Sequence, residues 1–143
     1  MITSFRGPYR FLSNFWPCCI YYEGKAYPST EAAYQAAKTL DQDVRENFTR
    51  MTPAESKKAG RKLIIRPDWE SVKLQVMEDL VRQKFTKYED LKQKLLATGS
   101  LQLIEGNTWG DRIWGCTLED GKWVGENNLG KILMKVREEL RNG

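Results

Sequence analysis

The chain has 143 residues, 41% of them hydrophobic, which is enough for one domain with its own core. Its net charge of +4 and pI of about 9.0 suit a phosphate-bearing ligand but are too weakly basic to establish nucleic-acid binding. The chain contains no histidine, which excludes Ser-His-Asp and Cys-His catalysis as well as any zinc site with a histidine ligand.

The first predicted element is a β-hairpin, formed by residues 18–22 and 25–27 around Glu23-Gly24. Most of the remaining chain is predicted to be helical, because capping residues precede segments with apolar positions at helical spacing. The six predicted helices cover, approximately, residues 30–38, 42–50, 53–62, 68–85, 89–97 and 128–140.

Two local sequence signals, one for a helix start and one for a helix end, support these boundaries. Thr52-Pro53-Ala54-Glu55 is a capping box with proline at the first helical position, and Gly99 ends the fifth helix. A short strand is predicted at Leu101–Glu105, before a loop rich in glycine and tryptophan. The expected fold is therefore mainly α (α+β). It is a single compact helical domain over residues 1–143, with small antiparallel β elements near the N-terminus and around the loop.

Cysteine usage and hydropathy predict the compartment. No apolar run approaches the ~20 residues of a membrane span, and the N-terminal residues lack the pattern of a signal peptide. Cys18, Cys19 and Cys116 show no Cys-x-x-Cys spacing, so neither a disulfide framework nor a structural zinc site is expected. We expect a cytoplasmic protein without a membrane partner, a metal or a cofactor.

The loop between the fifth and sixth helices carries the most informative residues. Trp109 and Trp114 flank Asp111 among several glycines. Tryptophan offers a flat stacking surface, and glycine lets the backbone approach a ligand closely. We interpret the loop as most of a pocket for a nucleotide-like molecule. The alternative is a turn-forming aspartate beside two core aromatics.

The first predicted helix carries Glu31, Tyr34, Gln35 and Lys38 at spacings of three and four, so these side chains share one face. Alanines fill the positions between them and allow other elements to pack closely, which favours a polar face directed into a cleft. The alternative is a capping glutamate followed by a solvated surface stripe.

Asn127 or Asn128 is predicted to cap the last helix, and free backbone N–H groups at this helix start are expected to hold a phosphate or ribose oxygen. The alternative is a capped helix start that binds no ligand.

Three further residues are candidates for substrate binding. Arg6 and Asn14 are polar residues set among N-terminal aromatics, and Trp69 shares a helix face with Lys73 and Met77. The alternative for these segments is an aromatic core strip with an exposed arginine, and a core face with a lysine that reaches solvent.

Taken together, these segments resemble the NADAR, or YbiA-like, family of N-glycosidases. The matching segments occur in family order and cover nearly the whole chain. They are residues 11–15, 29–38, 54–61, 68–69 with Lys73 and Met77, 84–85, 111–115 and 125–134.

The resemblance implies a compact, mainly helical fold that hydrolyses an N-glycosidic bond between a base-like group and a phosphorylated ribose. Substrates proposed for the family are early riboflavin-pathway intermediates and ADP-ribose attached to guanine bases, so ADP-ribosylated DNA is a further implied partner. Glu31, Asp111, Trp114 and Asn127 fall on motif positions and are carried over as site residues.

Two departures from the family pattern bear on mechanism. Ala32 stands where many relatives have a histidine, and Thr117 stands where many have a glycine. Catalysis is therefore assigned to carboxylates. Asp111 is placed beside the ribose, and Glu31 positions water or shuttles a proton, although these two roles are interchangeable on the sequence alone.

The other predicted binding residues surround the ligand in this hypothesis. Trp109 and Trp114 stack on the base, while Arg6, Lys38 and the start of the last helix lie near phosphate and ribose hydroxyls.

Two other functions explain some of the same residues. A module that binds ADP-ribose without cleaving it needs the same aromatics and helix start. A nucleic-acid-binding domain is favoured by the positive charge and the 11% aromatic content, but lysines and arginines are interleaved with acids rather than gathered in one block.

Overall fold

The computed structural model describes residues 1–143, which form two compact units. The central unit is Asn14–Lys84, and the terminal unit combines Met1–Ser13 with Phe85–Gly143. Helices dominate both units, and each contains one small two-stranded antiparallel sheet. The predicted fold class is therefore confirmed, while the prediction of a single domain over residues 1–143 stays a prediction.

The central unit begins with a hairpin. Strand β1 (Pro17–Tyr22) pairs with β2 (Lys25–Ser29), with Ile20 opposite Tyr27 and a register shift towards Pro17. Glu23 and Gly24 both have positive φ, as a tight two-residue hairpin turn requires. Four helices follow the hairpin: α1 (Thr30–Ala37), α2 (Gln42–Phe48), α3 (Pro53–Gly60) and α4 (Trp69–Lys87), of which the last three residues belong to the terminal unit.

Side-chain caps fix where the first three helices begin. The Ser29 hydroxyl accepts a hydrogen bond from Ala32 N–H at 3.1 Å, and the Asp41 carboxylate accepts from the first turn of α2. At α3 the capping box is complete, with Thr52 and Glu55 each bonded to the other's backbone N–H. The core of this unit includes Ile20, Ala33, Phe48, Met77 and Leu80, all buried.

The terminal unit contains a 3-10 helix (Gly7–Leu12), α5 (Glu89–Ala97), the hairpin β3 (Thr117–Glu119) with β4 (Lys122–Val124), and α6 (Asn128–Asn142). Its core includes Leu12, Leu95, Leu103, Leu133 and Val136, which are fully buried. No helix in either unit has the length and apolar content needed to cross a membrane.

The predicted strand at Leu101–Glu105 is wrong. This segment forms only an isolated parallel bridge, between Leu103 and Ile2. The reason is that a side chain competes for its backbone: the Asn127 amide accepts from Glu105 N–H and donates to Leu103 C=O, both at 3.0 Å. The segment therefore lacks a partner strand.

Candidate active site

Helix α1 is unusual because all eight of its residues are buried, including the polar ones. Ala32, Ala33, Ala36 and Ala37 are completely inaccessible to solvent, so neighbouring elements pack directly against the helix. This packing excludes the alternative of a solvated surface stripe, since Glu31 is only 9% exposed. A charged side chain at this depth requires polar partners.

Gln35 supplies one such partner. Its Nε2 donates to Oε2 of Glu31 over 2.6 Å, one helical turn apart, and Gln35 itself is 5% exposed. Gln35 Oε1 has no hydrogen-bond partner within the protein and faces the Cα atom of Gly60 in α3. Any side chain larger than hydrogen at position 60 would overlap Gln35, so this close approach requires glycine. The Glu31 carboxylate is therefore held in a defined orientation.

Lys38 ends the same polar face. Its Nζ lies 5.5 Å from the centre of the Tyr34 ring, and the Tyr34 ring lies 5.2 Å from the Trp69 ring at an angle of 54°. Burial lowers the pKa of the Lys38 ammonium below its usual value, and the nearby Glu31 carboxylate opposes this shift. Trp69 is 5% exposed, so the aromatic pair beside the polar face is largely buried on its Trp69 side.

Asn14 is also buried and lies against the same elements. Its backbone carbonyl accepts from Glu31 N–H at 3.0 Å, and its side-chain Nδ2 contacts Sδ of Met77 at 3.4 Å. The central unit thus brings together four of the predicted site residues: Asn14, Glu31, Lys38 and Trp69.

Lys84 is a further buried cation on α4, seven residues after Met77 and so on the same helix face. Only 1% of its surface is exposed, and burial lowers its pKa to about 7, with a smaller opposing effect of Cys18. An amine with this pKa exchanges protons readily near neutral pH, which suits general acid or base chemistry.

The tryptophan-rich loop in the terminal unit is shaped by Asn107. Its Oδ1 accepts from Asp111 N–H at 3.0 Å, and its Nδ2 donates to Asp111 C=O at 2.8 Å. This two-point bond closes a tight turn in which Gly110 has a φ of +85°. The Asp111 backbone is thus fixed by a buried side chain four residues earlier.

The Asp111 carboxylate is fixed as well. Its Oδ1 accepts from the N–H groups of Ile113 and Trp114 at 3.0 and 2.9 Å, whereas Oδ2 has no hydrogen-bond partner within the protein. Two residues earlier in the chain, Trp109 is 52% exposed, an unusual state for so large an aromatic ring. The loop thus carries both a pre-oriented carboxylate oxygen and an accessible aromatic surface.

Four of the N–H groups at the start of the last helix are not free, contrary to expectation. The N–H groups of Glu126, Asn127, Asn128 and Leu129 donate to the carbonyl oxygens of residues 112, 115, 113 and 114, at 2.7 to 3.2 Å. These donors anchor the loop and are not available to a phosphate. The loop and the helix start are therefore one rigid piece.

Asn127 occupies the predicted capping position, but its side chain makes no capping bond. It adopts a left-handed conformation (φ 53°), and its amide bonds to Leu103 and Glu105 instead. Asn127 thus joins the loop to the preceding segment. Its predicted direct contact with substrate stays a prediction.

Arg6 lies in the terminal unit, just before the 3-10 helix, and its side chain is exposed. The terminal unit therefore contains Arg6, Trp109, Asp111, Trp114 and Asn127. Because Glu31 and Asp111 belong to different units, their convergence on one ligand stays a prediction.

Four residues that the structure makes prominent were assigned no individual role from the sequence: Gln35, Lys84, Glu105 and Asn107. Two of these have a local signal: Gln35 lies four residues after Glu31 on one helix, and Asn107 lies four residues before Asp111 in a glycine-rich turn. Glu105 adds a carboxylate to the loop, with Oε2 3.4 Å from Asn107 Nδ2. The structure thus offers two settings for carboxylate chemistry, a buried glutamate with an amide partner and a loop aspartate fixed by backbone.

Comparisons with known proteins agree with these features. The N-glycosidase YbiA of Escherichia coli is 40% identical over 137 residues, covering 92% of this chain and 82% of that protein. An N-glycosidase of Nostoc punctiforme is 37% identical, covering 94% of this chain and 88% of its own length. A riboflavin biosynthesis protein of Vibrio vulnificus is 40% identical, but this chain covers only 35% of it.

The fold agrees too. An NMR structure of Escherichia coli YbiA has a TM-score of 0.83 and 38% identity, and the match covers 99% of this chain and 83% of that one. The family model of the NADAR domain matches residues 3–141. The chain therefore belongs to the NADAR domain family.

Proposed function

We propose that this protein is an N-glycosidase that hydrolyses the bond between a base-like group and a phosphorylated ribose. The observation that carries the enzyme class is the 37–40% identity to proteins named N-glycosidases, over at least 92% of this chain. These relatives bear out the predicted class, a hydrolase acting on N-glycosyl bonds.

The substrate is a nucleotide-like molecule. Two candidates follow from the family resemblance and from the riboflavin biosynthesis protein among the relatives: a phosphoribosylamino-pyrimidine and ADP-ribose attached to guanine. Support within the chain comes from the exposed Trp109 ring, which offers a stacking surface for a base, and from the cations Arg6 and Lys38, which suit phosphate oxygens.

Cleavage of an N-glycoside builds positive charge on the ribose and negative charge on the departing base. Asp111 is our candidate for stabilising the ribose, because its free Oδ2 has a fixed position and needs no reorganisation. Glu31 is our candidate for positioning water or carrying a proton, since Gln35 orients its buried carboxylate.

The test is the release of free base from both substrate candidates by wild type, Glu31→Gln and Asp111→Asn. Each variant is expected to lose at least ~2 kcal/mol of transition-state stabilisation, about 30-fold in kcat/KM. Wild-type rates in both variants would refute the assignment of these two carboxylates.

The chain offers matched controls for both changes. Glu89 lies in the first turn of α5 and accepts from Gln93 at 3.2 Å, which repeats the Glu31–Gln35 pair on an exposed surface. Asp120 lies in the exposed turn between β3 and β4, where asparagine is well tolerated. Glu89→Gln and Asp120→Asn are therefore expected to keep wild-type rates.

Calorimetry beside the product assay separates the enzyme from a non-catalytic binder. Binding of ADP-ribose by wild type, with no release of base from either substrate, would contradict the proposed hydrolysis and favour the binding module.

A further inference from the structure

The side-chain amide of Gln35 lies between a carboxylate and a backbone C–H group. Its Nε2 donates to Oε2 of Glu31 at 2.6 Å, and its Oε1 faces the Cα atom of Gly60 in α3. Reversing an amide by half a turn about its last bond exchanges the positions of its oxygen and its nitrogen. The two orientations make opposite demands on Glu31, so whatever selects between them also acts on that carboxylate.

Gly60 selects the observed orientation. Its Cα hydrogen, which stands where a Cβ atom would lie, points at Gln35 Oε1, and this oxygen accepts no conventional hydrogen bond within the protein. A carbonyl oxygen accepts a weak hydrogen bond from such a C–H group, whereas the reversed amide would direct its N–H groups at a group that accepts nothing. Buried N–H groups without an acceptor are rarer in proteins than buried carbonyls without a donor, so Nε2 stays directed at Glu31.

A donor that stays directed at Glu31 favours the ionised form of its carboxyl group. Hydrogen bonds to an ionised oxygen are shorter and stronger than bonds to a neutral one, and the 2.6 Å separation is correspondingly short. The reversed amide would favour the protonated form, because Oε1 could accept the proton that Glu31 then carries. By selecting the first orientation, Gly60 acts through Gln35 to favour a charged Glu31.

Lys38 acts on Glu31 in the same direction. Burial lowers the pKa of the Lys38 ammonium, and the charge of Glu31 raises it. This attraction is mutual, so the ammonium also favours the ionised carboxylate. Positive charges at α3 and α4 act on Lys38 as well, namely Arg61, Lys57 and Lys73. The ion pairs of the hairpin and α2 join Arg45 to Glu23 and Lys25 to Glu46.

We propose that Gln35, held in one orientation by Gly60, is a positioning residue that keeps Glu31 ionised. Glu31 is then the base that takes a proton from the attacking water, and it is not the acid that protonates the departing base. The proposal rests on the proposed function and decides between the two roles left open there for Glu31.

The step balances without a further reactant. The water oxygen bonds to the anomeric carbon, the C–N bond breaks with its electron pair going to the departing base, and the water proton passes to the Glu31 carboxylate. The base nitrogen then takes a proton from solvent, and Glu31 returns its proton to solvent. Only an ionised Glu31 can begin this step.

The first measurement needs no substrate. Protein carrying glutamate labelled with carbon-13 at Cδ is titrated with acid and base, and the Glu31 resonance is identified by its absence in Glu31→Gln. We expect Glu31 to be ionised at pH 7 in wild type. In Gln35→Met, which has a similar volume and no N–H donor, the midpoint of the Glu31 titration should rise by at least about one pH unit.

The pair Glu89 and Gln93 is the matched control, because Gln93 Nε2 donates to Glu89 at 3.2 Å on an exposed surface. Gln93→Met should move the midpoint of Glu89 by less than about 0.4 pH unit. A protonated Glu31 at pH 7 in wild type, or an unchanged Glu31 midpoint in Gln35→Met, would overturn the proposal. The first of these outcomes is decisive even where Gln35→Met does not fold.

The second measurement is the pH dependence of kcat/KM for release of base, which reports the ionisation of groups in the free enzyme. A base fails when it is protonated, so Gln35→Met should move the acidic limb to higher pH by as much as the NMR midpoint moves. Movement of the basic limb instead would overturn the base and make Glu31 the acid. Failure of the proposed function looks different: Gln35-dependent ionisation of Glu31 without hydrolysis of either substrate removes the N-glycosidase and leaves the effect of Gln35 established.

Discussion

Gly60→Ala tests whether Gln35 controls the orientation of the Glu31 carboxylate. A Cβ atom at position 60 would overlap Oε1 and Cδ of Gln35. These atoms are the far end of a flexible side chain, so Gln35 is expected to move rather than the backbone. That movement breaks the 2.6 Å hydrogen bond from Gln35 Nε2 to Glu31 Oε2.

The size of the effect follows from three contributions. A hydrogen bond to a charged acceptor contributes about 1.5–3 kcal/mol, and overpacking of a tight contact costs about 1–3 kcal/mol. Alanine regains up to about 1 kcal/mol over glycine within a helix, and less at the last residue of α3. The contributions overlap, so we expect a net loss of about 1–3 kcal/mol of unfolding free energy, or roughly 3–9 °C in Tm.

The assay is a double-mutant cycle of Gly60→Ala and Gln35→Ala, measured by urea unfolding and by kcat for base release. Without Gln35 the new methyl group has no amide to displace, so Gly60→Ala should cost little in that background, giving an interaction energy of at least about 1 kcal/mol. The kcat of Gly60→Ala should fall by about tenfold or more, with KM nearly unchanged, because Glu31 loses its orientation rather than its charge.

Gln93→Ala is the control, since Gln93 donates to Glu89 on an exposed surface at the same spacing. It should cost no more than about 0.5 kcal/mol and leave kcat unchanged. Additive effects of Gly60→Ala and Gln35→Ala would refute the reasoning, because they would show that the overlap does not act through Gln35.

Two further predictions concern stability. Asn127→Ala removes the bonds to Leu103 and Glu105 and should lower the unfolding free energy by about 1–3 kcal/mol; an unchanged urea midpoint would contradict this. Lys84 titrates at about 7 when folded and near its usual 10.5 when unfolded, so the unfolded chain binds more protons between these values. The difference in unfolding free energy between wild type and Lys84→Met should therefore rise with pH across this window, by at most about 1.4 kcal/mol per pH unit. The difference between wild type and Lys87→Met should show no such slope.

The elements that were predictable from sequence are those with local causes. The capping box at Thr52 and Glu55 sets the start of α3 through bonds that span three residues. The boundaries of α5, Glu89–Ala97, agree with prediction, because acidic residues begin the helix and Gly99 follows it. Signals of this kind are complete within a few residues, so tertiary structure does not change them.

The start of α6 was not predictable because its partners are distant in sequence. An asparagine before an amphipathic helix is typical of an N-cap, yet the Asn127 amide bonds to segments 22 and 24 residues earlier. The carbonyl groups of residues 112–115 accept from the N–H groups at the start of α6, which a capping side chain would otherwise have bonded. The same competition explains why residues 101–105 do not form a strand.

The site was predictable in its residue types and not in its contacts. Spacing alone places Glu31 and Gln35 on one face, but it does not show that Gly60 permits their close bond. Lys84 resembles an ordinary helix lysine in the sequence, and only the packing around α4 reveals its burial and lowered pKa.

The different supports of the two carboxylates favour different roles for them. The Asp111 carboxylate accepts hydrogen bonds from the backbone N–H groups of Ile113 and Trp114. Because these donors belong to the backbone, they keep their positions when a substrate binds. An asparagine at this position keeps Oδ1 and therefore the turn, so a loss of rate in Asp111→Asn reports the missing charge and not a disordered loop.

Glu31, by contrast, is held by the side-chain amide of Gln35, which lies in a space that only Gly60 leaves open. In Glu31→Gln the amide oxygen of the new side chain can still accept from Gln35 Nε2, so this variant removes the charge and keeps the orientation. If Asp111 acts by charge and Glu31 by directing water or a proton, Gly60→Ala should lower the rate in the Asp111→Asn background as much as in wild type. It should have no further effect in Glu31→Gln, because the group that Gln35 orients is already absent.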